Sequence, residues 1–138
     1  MANQYRSLAA ASGNFNGGAA GTHLHGTALR LENVKPGSLS AYFDTTATTS
    51  TLTISGFWEV SADNSTWVDV STLNNAALVA ITTGTGSAVT GDKVIPFPDG
   101  LLGWKYARAT AINGVTTGAT ADAAVITYRW LNEQSGGW

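Results

Sequence analysis

The chain has no cysteine, only three prolines, and only seven lysines and arginines among its 138 residues. Each shortage removes a class of explanation. Without cysteine there is no disulfide framework, no thiol nucleophile and no thiolate metal site. The few basic residues are scattered and the formal net charge is -2, so no electrostatic footprint for phosphates exists and nucleic acid is not expected as a partner. No apolar run approaches the length of a membrane helix, so no membrane partner is expected. The first residues lack the charged-then-apolar order of a signal peptide, so ordinary secretion is not expected either. Charged residues are 12% of the chain against 43% hydrophobic ones. A free-standing soluble domain normally carries about twice that share of charge, which points to a subunit whose surface is partly covered by neighbours.

What is present is β patterning. The stretch Thr51 to Val70 alternates large and polar residues on both sides of a turn at Ala62-Asp63-Asn64-Ser65, as an antiparallel hairpin does. Leu52, Ile54, Trp58 and Val60 fall on one face, and Phe57 and Glu59 on the other. Further strands are expected over Thr27 to Asn33, around Leu39, Ala41 and Phe43, over Leu78 to Thr82, and over Lys93 to Phe97, the last held to an edge by Pro96. The longest are Gly103 to Ile112 and Ala123 to Asn132. In the final strand Ala124, Ile126, Tyr128 and Trp130 alternate with Val125, Thr127, Arg129 and Leu131, so both faces carry apolar bulk and one of them awaits a partner chain. About eight short strands with turn signals between them describe an all-β antiparallel sandwich, jelly-roll-like, with a barrel as the nearest rival.

Residues 1–26 differ. Their Gly- and Ala-rich run has no sustained period, and they are expected to form an extended N-terminal arm that becomes ordered only against a neighbouring subunit. Tyr5, Leu8 and Phe15 are its expected anchors. The β-sandwich domain is then 27–132, with 133–138 as a C-terminal tail whose Trp138 is a further docking candidate, alongside Phe57 and Trp130.

Candidate chemistry is thin. His23 and His25 would share one side of a strand, but a metal would need further ligands from Asp or Glu, and neither a metal nor any other cofactor is expected. The nine acidic residues sit in turns or strands that need no catalytic explanation, and no nucleophile elbow, phosphate loop or calcium loop occurs. The five tryptophans fit a core or an inter-subunit role. Exposed rings beside polar groups would instead mark a sugar-binding face.

The segments WEVSADNSTWVDV, VAITTGTGS and YARATAINGVTTGATADAAVITYRW resemble the small β-sandwich virion proteins of tailed bacteriophages, in particular capsid decoration or cement proteins. The cues are Ser61, Asp63, Thr66 and Trp67 at the end of one strand, then Tyr106, Ala107 and Arg108 in another. The resemblance covers roughly the last 90 residues, and the arm has no counterpart in it. It implies a non-enzymatic structural protein on the outer capsid surface, often a trimeric homo-oligomer, that binds the major capsid protein and ties neighbouring capsomers together. The alternative is a glycan-binding module of a phage head or tail fibre.

Overall fold

The computed structural model describes residues 4–14, 22–47, 53–70, 79–83, 89–113 and 123–132. These form ten strands: β1 (Gln4–Asn14), β2 (Thr22–His25), β3 (Leu29–Arg30), β4 (Ser40–Ala47), β5 (Thr53–Ser61), β6 (Val68–Asp69), β7 (Val79–Thr83), β8 (Val89–Pro96), β9 (Tyr106–Asn113) and β10 (Ala123–Asn132). One short 3-10 turn, Asp99–Leu101, precedes β9. The strands make a four-stranded sheet in the order β1-β10-β4-β8 and a six-stranded sheet in the order β2-β9-β5-β6, with β3 also on β9 and β7 on β5. Every pairing is antiparallel. The fold is an all-β sandwich of jelly-roll type, and among the described residues no helix is long and apolar enough to cross a membrane.

Alternation decides which side chains enter the sandwich. Ala124, Ile126 and Tyr128 of β10 and Ala41 and Phe43 of β4 line one inner face, while Ile54, Trp58 and Val60 of β5 with Ala107, Ala109 and Ala111 of β9 line the other. The three alanines on β9 are small for a reason. Ala109 lies directly opposite Trp58 in the ladder, and the space it leaves is filled by the indole and by the Tyr128 ring, 5.4 Å apart between centroids. Phe97 closes the cluster edge-on to Trp58 at 5.1 Å.

Tyr128 also resolves a backbone problem. Between β2 and β3 the chain leaves β9, and the amide of Ala109 would be buried without a partner. Tyr128 reaches across the sandwich and its hydroxyl oxygen accepts that N–H at 2.8 Å. Gly26 must stay bare for this to work, because a Cβ there would meet the Tyr128 hydroxyl and lie 2.7 Å from the Ala109 carbonyl. Replacing Tyr128 with phenylalanine is therefore expected to lower stability by about 1–3 kcal/mol, the cost of a buried unsatisfied donor. Chemical denaturation would measure it, and a change under about 0.5 kcal/mol, the usual scale of a neutral surface change, would mean the amide finds another acceptor.

The hairpin turn matches its expectation: Ser61 Oγ accepts the amides of Asp63 and Asn64, and Asp63 Oδ1 accepts those of Ser65 and Thr66. Asn64 takes a positive φ of 60°. The arm differs from its expectation. Gln4–Asn14 pairs along β10 from Gln4 opposite Asn132 to Asn14 opposite Ala123, with one register shift between Ala9 and Ala11, and Thr22–His25 pairs with β9. Both segments pair with strands of the sandwich. The physical reason is that β10 presents a row of backbone donors and acceptors on that side, and a strand of small residues satisfies them as well as a bulky one.

Candidate functional site

With the core accounted for, the two outer sheet faces remain. On the four-stranded sheet, residues that alternate with the core point outward: Tyr5, Val125, Thr127 and Arg129, Tyr42 and Asp44, Asp92 and Val94. Tyr5, Tyr42, Val94 and Val125 are the exposed large hydrophobics among the described residues, at 70%, 38%, 48% and 42% exposure. All four are on this one face. The Arg129 guanidinium lies over both tyrosine rings, 5.6 Å from Tyr5 and 5.5 Å from Tyr42, and so spans three strands. An open groove of about 260 Å³ runs beside Tyr42, Val94 and Val125. Asp44 and Asp92 stand directly opposite each other at its end. The Asp44 carboxyl is held above its ordinary 3.8 by desolvation at the sheet face, by the hydrogen bond it shares with Asp92 and by the Asp92 charge.

The six-stranded sheet carries a polar network on its outer face. Glu59 Oε1 accepts from Thr110 Oγ1 at 2.7 Å and from Arg108 Nε at 2.9 Å, and His25 Nδ1 lies 3.2 Å away. Because the Thr110 hydroxyl proton is committed to Glu59, His25 Nδ1, 3.0 Å from Thr110 Oγ1, must be the donor. Arg108 stacks on the Trp67 ring at 4.3 Å. His23 stacks on His25 at 5.3 Å and meets the Phe57 edge at 6.1 Å. Residues of β2, β5 and β9 that are distant in sequence thus converge on one carboxylate. No group of three or more His, Cys, Asp or Glu suited to a metal ion occurs among the described residues.

The titration of this network sets a direction for pH. The His25 ring titrates below its ordinary 6.5, first because burial disfavours its cation and next because Arg108 repels it, which together outweigh the attraction of Glu59. At neutral pH the His25–Glu59 contact is thus a hydrogen bond from a neutral ring. Burial alone would raise the Glu59 carboxyl, but the hydrogen bonds from Thr110 and Arg108 and the Arg108 charge outweigh it and hold it below 4.5. In both cases the unfolded chain takes up the proton first, so stability falls as pH drops. Thermal melts should be flat above pH 6.5 and decline below it as His25 titrates, then more steeply below 4.5 as Glu59 does. His25→Gln should flatten the first decline and Glu59→Gln the second; unchanged profiles in both variants would remove the network from the pH response.

The expected contact residues separate into three groups. Tyr5 is outward and exposed. Leu8 and Trp130 pack against the core from the inner side, and Phe57, although on an outer face, is only 8% exposed because its own chain covers it. Phe15 and Trp138 lie outside the described residues. Sequence reasoning passed over Tyr42, Val94, Asp44 and Asp92. The alternation of Tyr42 with Ala41 and Phe43 was the available signal.

No protein-family model and no curated protein matches the chain. Its fold does match solved structures. A chain in the structure of infectious bursal disease virus, Gx strain, superposes with a TM-score of 0.59 at 11% identity, covering 99% of this chain and 33% of that one. A chain in the Gt strain structure of the same virus gives 0.50 at 10% identity, covering 99% and 34%. The protein therefore spans about a third of the length of those chains. At such identities the likeness is one of fold.

Proposed function

We propose that the protein is a non-enzymatic structural component of a virus particle, in which the outer face of its four-stranded sheet is an assembly contact. In the finer form that the sequence resemblance implies, it decorates the outer surface of a phage capsid, binds the major capsid protein and bridges neighbouring capsomers. The observation that carries this reading is the gathering of Tyr5, Tyr42, Val94 and Val125 on one sheet face, in a chain with 12% charged residues. A charge-poor domain that gathers its exposed large apolar side chains on one face presents what an assembly contact requires. The fold shared with chains of a virus particle supports it. The carboxylate most suggestive of catalysis, Glu59, is engaged by its own sheet through Arg108 and Thr110. The test is co-sedimentation of the purified chain with virions whose genome encodes it and which have been stripped of it. Saturable binding that Val94→Asp weakens without lowering the melting temperature is expected, and absence of binding by the wild-type chain would end the proposal.

A second reading has its own observation. On the outer face of the six-stranded sheet, Trp67 lies next to Arg108 and Glu59, with His23 and His25 alongside, a mixture of rings and hydrogen-bonding groups suited to a sugar. Quenching of tryptophan fluorescence by a glycan panel, lost in Trp67→Ala, would favour this glycan-binding alternative.

A further inference from the structure

The outer face of the four-stranded sheet carries charge at both ends of its apolar centre, with opposite signs. On β10, Val125 is opposite Asp44 of β4, Thr127 is opposite Tyr42, and Arg129 is opposite Ser40. Across the next ladder Tyr42 is opposite Val94, and Asp44 is opposite Asp92. The face is therefore banded along the strands. The Asp44–Asp92 pair marks one end, the row Thr127–Tyr42–Val94 the middle, and Arg129 the other end. Arg129 and the carboxylates are four residues apart along the strands, about 13 Å at a rise of about 3.3 Å per residue.

Such a band is complementary to itself. A two-fold axis lying in the contact plane, perpendicular to the strands and along the middle row, reverses the strand direction of a second copy. It sets the Arg129 of each copy over the Val125 of the other, in the row that continues through Asp44 to Asp92. The remaining sideways offset to Asp44 is one strand spacing, about 4.8 Å, which an arginine side chain spans; Asp92 lies a second spacing further on. Tyr42 and Val94 then meet their own counterparts on the axis, as an isologous contact requires. We propose that this face docks onto the same face of a second copy of the chain, with strands antiparallel and two reciprocal Arg129-to-Asp44 contacts.

Three observations support that occupant over others. The exposed large hydrophobics of the described residues are all on this face and two of them fall on the axis. Two aspartates directly opposite one another disfavour each other's charged form, and the arrangement brings a guanidinium to Asp44 from the second copy. The area also suffices. Four strands about 4.8 Å apart and about eight residues long cover about 500 Å² per copy, hence about 1,000 Å² in the pair, at the lower limit for a specific interface. Sheets stacked in this way keep their strands within about 30° of each other. An interface at that lower limit suits a weak, reversible dimer, and the expected affinity is about micromolar to submillimolar.

Sedimentation equilibrium of the full chain, free of particles, tests this separately from any binding to virions. The wild-type chain should form dimers, and Arg129→Glu and Asp44→Arg should each weaken self-association at least 10-fold. Mixed together, the two variants should form a heterodimer, because each then offers the other an opposite charge at both contacts. That rescue also shows that both variants are folded. As a check that needs no charge change, Val94→Cys introduces the sole thiol of the chain on the axis, and a short bis-maleimide should couple two copies efficiently. A wild-type chain that is monomeric at 0.5 mM, roughly the weak limit of this affinity range, overturns the proposal. So does a trimer that Arg129→Glu leaves intact, a mixture that fails to associate, or a Val94→Cys chain that the reagent does not couple.

Discussion

Trp58→Ala is expected to cost more stability than any other single truncation. The indole is 3% exposed, packed edge-on against Phe97 and tilted against Tyr128 at centroid distances of 5.1 and 5.4 Å. Its N–H donates across the sandwich to the Ile95 carbonyl at 3.0 Å, tying the six-stranded sheet to the edge strand of the other. The residue beside it in the ladder, Ala109, is already too small to move into the space. Tryptophan-to-alanine changes in such positions cost about 3–5 kcal/mol, a large part of the about 5–15 kcal/mol that holds a domain folded. The melting temperature should fall by more than about 10 °C. Trp58→Phe keeps most of the apolar contact and loses the indole hydrogen bond to the Ile95 carbonyl, which keeps its place in the β4-β8 ladder, so it should cost less than half as much. A Trp58→Ala melting temperature within a few degrees of wild type would show that the two sheets are not held together at this point.

Local pattern was legible where one strand carries its own alternation. Ala124, Ile126 and Tyr128 are buried while Val125 and Arg129 are exposed, as the final strand's period of two requires, and β10 has the bounds its sequence implies, Ala123–Asn132. Pro96 ends β8 at the edge of its sheet, where a missing N–H does least harm. Partner choice was not legible. The hairpin partner of β5 contributes only Val68 and Asp69, and the long partner is β9, from Ile54 opposite Asn113 to Ser61 opposite Tyr106. Alternation tells a strand which face to bury and says nothing about which ladder it joins. Likewise β9 and β10, adjacent in sequence, lie in opposite sheets. The Glu59 network escaped for the same reason, since His25, Glu59, Arg108 and Thr110 become neighbours only after three strands are set side by side. The apolar outer face was half legible. Val125 and Arg129 advertised it, but Tyr42 and Val94 join it only through the β10-β4-β8 order.

Removing residues 1–21 is expected to have an effect as large as that of Trp58→Ala, although the composition of this segment suggests a dispensable arm. Its Gly and Ala residues give it high chain entropy when unpaired, but in the fold β1 runs the whole length of β10 and closes the edge of the four-stranded sheet. Leu8 and Ala11 pack against the core and Ala10 is 6% exposed. The apolar burial lost with them amounts to about 3 kcal/mol. The truncated chain would also expose β10, with its backbone groups unpaired and two apolar faces, as an open edge. A fall in melting temperature of at least about 10 °C, accompanied by aggregation, is the expected result in a thermal scan with light scattering. Two point variants separate a structural strand from a docking arm. Leu8→Asp places a charge on the inner face and should destabilise the isolated chain, whereas Tyr5→Ala changes a side chain that is 70% exposed and should leave the melting temperature within about 2 °C. If the truncated chain and Leu8→Asp both melt like wild type and lose only their attachment to particles or to one another, β1 is an arm after all, and its pairing with β10 contributes nothing to the stability of the domain.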